Sequence, residues 1–286
     1  MREVQQFSLN RMCAPKLGFP EYVALCQRLG IDAIEIRNDL PGIEITDGSP
    51  AAQIKAACEA GGLTILSINA LQCFEQFDAT RMREAVALAR YAVDCGAKAL
   101  VLCPTNSPLD KRTPGERHAD LVTALTQLKP ILEDHGLLGL VETLGFEECA
   151  LRRKSDAVKG IYDAAGERHF KLVHDTFHHH LAGEDIFYPD LTGLVHISGV
   201  EENALNVDEM RDGHRVLVGR DDRLGNVRQL AVLRARGYRG YASYEPFADE
   251  IAQASDIEQR LATSMRHIRA ALDVTLDEPR QLATAA

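Results

Sequence analysis

The sequence predicts an α/β fold of the (β/α)8 TIM-barrel type, one domain over residues 1–277 with a C-terminal tail at 278–286. Three observations predict it. Eight short apolar, β-branched runs alternate with stretches that carry apolar residues every three or four positions. The chain, at 286 residues, is near the roughly 250 typical of such barrels. The turn after the first strand, SLNRMCAPKLG, holds no GxGxxG, the phosphate turn expected there in a doubly wound open sheet, the alternative plan.

The strand runs fall at 4–9, 33–36, 64–68, 99–103, 138–141, 171–173, 194–197 and 241–244. Helical spacing covers 21–29, 51–60, 81–95, 115–135, 226–236 and 257–272. Glycine follows the end of most of these helices, at Gly30, Gly61 and Gly62, Gly96, Gly136 and Gly237, where a left-handed residue closes the last turn. The basic run Arg152, Arg153, Lys154 reads as a solvated helix start. The sixth helix is weak, because 178–190 contains Gly183 and Pro189. The seventh connection, 199–226, is long and highly charged, a length that often marks a functional loop.

Composition narrows the class. A formal charge of −10 argues against a nucleic-acid surface, which needs clustered Lys and Arg. The N-terminus MREVQQFSLN has no apolar targeting core, and no run reaches the roughly 18 apolar residues of a membrane span. The seven cysteines form no CxxC pair and suit buried free thiols in a reducing compartment. The expected setting is therefore cytoplasmic, with no membrane and no nucleic-acid partner. No apolar stripe marks an oligomer face, although the outer helices leave a homo-oligomer open.

In a barrel, chemistry collects at the C-terminal ends of the strands. Those ends read Glu35-Ile36-Arg37-Asn38 on the second strand, Asn69 on the third and Cys103 on the fourth. The last four deliver Glu142, His174-Asp175, His196 and Glu245. Acids converging on one dry rim repel one another unless a cation sits among them. A divalent ion on Glu142, Asp175, His196 and Glu245 resolves this, and the oxygen-rich set suits Mn²⁺ or Mg²⁺ while the imidazole keeps Co²⁺ and Zn²⁺ open. The alternative is that each acid is an ordinary ion-pair partner at the barrel mouth. In LVHDTFHHHL, His178 can turn back over the site, His180 can lie close to the mouth, His179 is expected at the surface, and His174 in the core on the far side of its strand.

ETLGF at Glu142, HDTFHHH at Asp175, VHISG at His196 and YEPF at Glu245 resemble the xylose-isomerase-like barrel superfamily of sugar isomerases, epimerases and apurinic-site endonucleases. Glu35-Ile36-Arg37, Asn69-Ala70-Leu71, Asp175-Thr176-Phe177-His178 and Asp212-Gly213-His214-Arg215 resemble its inosose (2-keto-myo-inositol) isomerases in particular. The resemblance spans nearly the whole chain. It implies one divalent metal on Glu142, Asp175, His196 and Glu245, and a polyol ketone or sugar as substrate. It also implies proton transfer between adjacent carbons through an enediolate. Glu142 or Glu245 would move that proton, with His178 and Arg37 on hydroxyls and Arg215 closing over the substrate from the long loop. Asn69 and His180 join the expected substrate contacts. Hydroxypyruvate isomerase, ketose 3-epimerase and inosose dehydratase chemistry share this scaffold. Three departures bear on the choice. The loop reads Val218-Gly219-Arg220-Asp221 in place of a Pro-Gly-x-Gly turn. Glu201-Glu202 stands where the epimerases carry arginine, and Asn69 and Cys103 stand where the endonucleases carry histidines. A DNA-repair role is not expected.

Overall fold

The computed structural model describes residues 5–277. Eight parallel strands close into a barrel in chain order: β1 Phe7–Asn10, β2 Ala33–Arg37, β3 Thr64–Gln72, β4 Ala99–Cys103, β5 Leu138–Glu142, β6 Phe170–Asp175, β7 Thr192–Ile197 and β8 Ala242–Tyr244. β8 pairs back onto β1, with Phe7 opposite Ala242 and Leu9 opposite Tyr244. The helices are α1 Phe19–Leu29, α2 Ala51–Gly61, α3 Ala79–Cys95, α4 Pro114–His135, α5 Lys154–Asp163, α6 Thr176–Ala182, α7 Asn226–Ala235, α8 Asp249–Ala252 and α9 Ile257–Asp277. The expected tail, and the first residue of the expected first strand, lie outside the described residues.

Strand residues alternate between two apolar surfaces, as a pleated strand requires. Leu100, Leu102, Val141, Leu172, Val195 and Ile197 join the large core shared with the helices. Ala99, Val101, Cys103, Leu140, Val173 and Leu194 form a separate cluster made almost entirely of strand residues, the filling of the barrel. This parity places the site. Glu142 follows Leu140 by two, Asp175 follows Val173 by two and His196 follows Leu194 by two, so all three point inward above the apolar layer. His174, one residue out of phase, points away from the barrel, where its Nε2 meets Gln229 of α7 at 2.8 Å.

The helix ends are capped as the sequence implies. Gly30, Gly62, Gly96 and Gly136 sit at φ between 64° and 84°, left-handed backbone in which glycine carries no Cβ penalty. Thr113 and Glu116 make a capping box at the start of α4. Two expectations are corrected. β3 runs on to Gln72, because Leu71 and Gln72 pair with Leu102 and Cys103 of β4 past a register shift, so Asn69 lies within the strand. Lys154 does open a helix, α5, but it is buried rather than solvated, held 3.2 Å from Glu184 and lying against His179.

Candidate metal centre at the barrel mouth

Glu142 and Asp175 are the last residues of β5 and β6, His196 is the penultimate residue of β7, and Glu245 directly follows β8. Each offers one ligand atom, and these atoms lie within 4.8 Å of one another in a buried cluster. His196 Nδ1 stands 2.9 Å from Glu142 Oε1, 3.1 Å from Glu245 Oε2 and 4.0 Å from Asp175 Oδ2. The four residues expected from the strand ends are thus brought together.

Two arginines enter the same cluster. Arg37 Nη1 donates to Glu245 Oε1 at 2.8 Å, while its Nε and Nη2 form a bidentate pair with Asp39. Arg215 Nη2 donates to Asp175 Oδ2 at 2.7 Å and to Glu245 Oε2 at 3.1 Å. Its guanidinium is buried against the rings of Phe177 and Phe247. Arg215 is carried there by the long 199–226 connection, which is anchored by a Gly199–Val216 bridge.

The remaining expected residues separate. Asn69 donates from Nδ2 to Glu35 at 2.8 Å and leaves a buried Oδ1 with no protein partner among the described residues. His178 is buried edge-on between Phe146 and Phe177, and its Nδ1 likewise has no protein partner there. His180 lies elsewhere, half-buried in a cleft of about 210 Å³ between α6 and α7 with Glu184, Phe187 and Arg228. His179 is corrected from surface to interior: it packs on His174 and Phe187 and touches Lys154.

Four further residues line the site without a task expected from the sequence: Glu35, Asn10, Ser67 and Ser243. Asn10 bonds Glu35 and Glu245, at 3.4 and 3.2 Å, and both serines donate to Glu35. The signal was parity: Glu35 precedes Arg37 by two, Ser67 precedes Asn69 by two, and Ser243 precedes Glu245 by two. Capping was a second signal, since Asp175 Oδ1 accepts from the N–H groups of Phe177 and His178 at the start of α6, the usual work of a helix N-cap aspartate.

The local field is strongly negative. Burial works against charge on His196, yet Glu245, Glu35 and Glu142 outweigh it and hold the imidazole pKa well above its ordinary value. Burial likewise disfavours the charged Glu245, but His196, Arg215 and Arg37 hold it well below the usual carboxylate range. Three carboxylates and one imidazole nitrogen converging in a buried site that favours positive charge fit a divalent cation.

An inward-facing cluster at the C-terminal mouth of a closed eight-stranded barrel defines a class, and the family model for xylose isomerase-like TIM barrels matches residues 23–271. The chain belongs to that family. A xylose isomerase domain containing protein from Salmonella typhimurium LT2 is 32% identical, with 94% of this chain and 99% of that one covered and a TM-score of 0.86. The IOLI protein, solved with a bound zinc atom, is 21% identical over 94% of this chain and 99% of its own, with a TM-score of 0.83. D-psicose 3-epimerase from Clostridium cellulolyticum H10 is 16% identical over 95% and 98%, with a TM-score of 0.69. At the identities of these last two the likeness is one of fold. No curated protein sequence matches the chain significantly.

Proposed function

We propose that this protein is a divalent-metal-dependent isomerase of keto-polyols or sugars, with 2-keto-myo-inositol (inosose) of inositol catabolism as its substrate. The observation that carries this reading is the convergence of Glu142, Asp175, His196 and Glu245 on one buried point. A bound Mn²⁺, Mg²⁺, Co²⁺ or Zn²⁺ would polarise a ketone and its neighbouring hydroxyl and so acidify the intervening C–H. The IOLI protein, which shares the fold, was solved with a zinc atom, and that supports a metal-binding reading here.

The chain's own groups then divide the work. Glu142 and Glu245, both within the cluster, serve as proton acceptor and donor, one taking the C–H proton and the other, or the same one, returning it to the adjacent carbon. Asn69 Oδ1 and His178 Nδ1, buried without protein partners among the described residues, are left to bond substrate hydroxyls. Arg37 and Arg215 hold the carboxylates in place and present N–H groups to substrate oxygens. Burial of all these groups excludes water, which strengthens each polar contact.

Incubation with inosose and Mn²⁺ in D₂O tests the reading. Isomerisation yields a new ketone with deuterium at the exchanged carbon, dehydration yields a diketone with altered ultraviolet absorption, and a ketose epimerase inverts a stereocentre of ketohexoses instead. Glu245→Gln is expected to lower kcat by about 10²–10⁴, the usual worth of a positioned acid–base group. A non-catalytic sugar-binding module would show neither exchange nor a metal requirement. Inertness toward every polyol ketone and sugar tested would sink the proposal.

A further inference from the structure

Glu35 lies on β2, outside the four-residue cluster, and its carboxylate is fully enclosed. It accepts from Ser67 Oγ and Asn69 Nδ2 on β3, from Ser243 Oγ on β8 and from Asn10 Nδ2 on β1. The remaining contact comes from β7, where His196 Nε2 stands 3.2 Å away. Donors from four strands therefore hold one acid that no ion pair with Arg or Lys among the described residues explains. An ionised carboxylate in a dry interior is costly unless its acceptor sites are filled. Here they are filled by neutral groups and one imidazole. So elaborate a cradle fixes the position of an acceptor beside His196.

The two ring nitrogens of His196 face different chemistry. Nδ1 faces the three carboxylates of the cluster, and Nε2 faces Glu35. A neutral imidazole carries one proton, and the nitrogen that keeps a free lone pair is the one able to bind a metal. With a cation held among the carboxylates on the Nδ1 side, the acceptor at Nε2 is where the single proton sits, and Nδ1 keeps its lone pair for the metal.

We propose that Glu35 is a positioning residue: it holds the His196 proton on Nε2, so that Nδ1 presents its lone pair to the metal together with Glu142, Asp175 and Glu245. This rests on the metal-centre reading above. It adds a part of the machinery that touches neither metal nor substrate and acts through the histidine. Hydrogen-bonded carboxylates behind ligating histidines typically support metal affinity by 10–100-fold. A glutamine at 35 would present an N–H as well as a carbonyl, and the N–H favours the opposite tautomer.

Two measurements on the full-length protein test this. In zinc-loaded wild type labelled with ¹⁵N-histidine, long-range ¹H–¹⁵N correlation is expected to show His196 bound through Nδ1 with a proton on Nε2. Titration calorimetry with Zn²⁺ is expected to show one site per chain, and Glu35→Gln is expected to keep that stoichiometry while weakening affinity by roughly 10–100-fold. Zinc bound through Nε2 in the wild type, or an unchanged affinity in a folded Glu35→Gln variant, overturns the role of Glu35 alone. Failure of the wild type to take up zinc overturns the metal reading and this proposal with it. Because the tautomer is read in the wild type, the test stands even if the variant does not fold.

Discussion

The two oxygens of Asp175 face different ways: Oδ1 caps α6 and Oδ2 meets Arg215 in the cluster, so one side chain both starts a helix and lines the site. The histidines that follow it divide just as sharply. His178 stays by the aromatic wall near the mouth, while His179 turns into the layer behind β6 with His174, Lys154 and Phe187. Burial, with the nearby Lys154 charge second, pushes the His179 pKa down from 6.5 to about 3. The unfolded chain then binds a proton near pH 6.5 that the folded chain refuses. Stability from this residue is full above that value and is lost as pH falls from 6.5 toward 3. Thermal midpoints measured across that window are expected to decline with acid, and His179→Gln, which cannot titrate, is expected to flatten the decline. An equally steep decline in the variant would assign the acid sensitivity to other groups.

At the level of elements, the long 199–226 connection was expected to matter from its length and charge. It does deliver a charged group inward, but as a folded strap rather than an open excursion: short 3-10 turns at Val207–Glu209 and Asp212–His214 lead into Arg215. The backbone carbonyl of Arg215 also accepts from the N–H groups of Phe247 and Ala248, tying the strap to the segment after β8. The contact between the loop after β5 and α6 depends on a missing side chain. A Cβ on Gly145 would sit 2.2 Å from the carbonyl oxygen of His178 and 2.8 Å from Leu181 Cβ. Neither the backbone nor a core leucine can yield cheaply, so Gly145→Ala is expected to destabilise by about 1–3 kcal/mol. Urea unfolding should show it as a lowered midpoint at unchanged slope; an unchanged midpoint would mean that α6 can shift freely.

Over the whole molecule, closure of the barrel decides the site. His196 and Glu35 are 161 positions apart in the chain yet bond each other, and Arg37 reaches Glu245 across 208 positions. A metal that binds the folded barrel and not the unfolded chain stabilises by mass action, by about 2.7 kcal/mol when free metal is 100-fold above its Kd. The thermal midpoint is therefore expected to rise with added Mn²⁺ or Zn²⁺ and to fall back with chelator. Glu142→Gln should abolish most of that rise; a midpoint indifferent to metal in the wild type would count against the centre.

The eight strand runs, the glycines that end the helices, and the acids and histidine at the last four strand ends were all legible in the sequence. Each is a local matter: hydrophobic period, φ preference, and the parity of a strand. What folding alone decided is which side chains share one volume. Parity says that Glu35, Ser67, Ser243 and Asn10 point inward, but not that they meet around one carboxylate. Helical phase did not foretell that His179 and Lys154 would be interior while His180 opened on a separate cleft. Those outcomes depend on the angle at which short helices dock and on the curvature that brings β2 opposite β7, and both are set by packing between segments far apart in the chain.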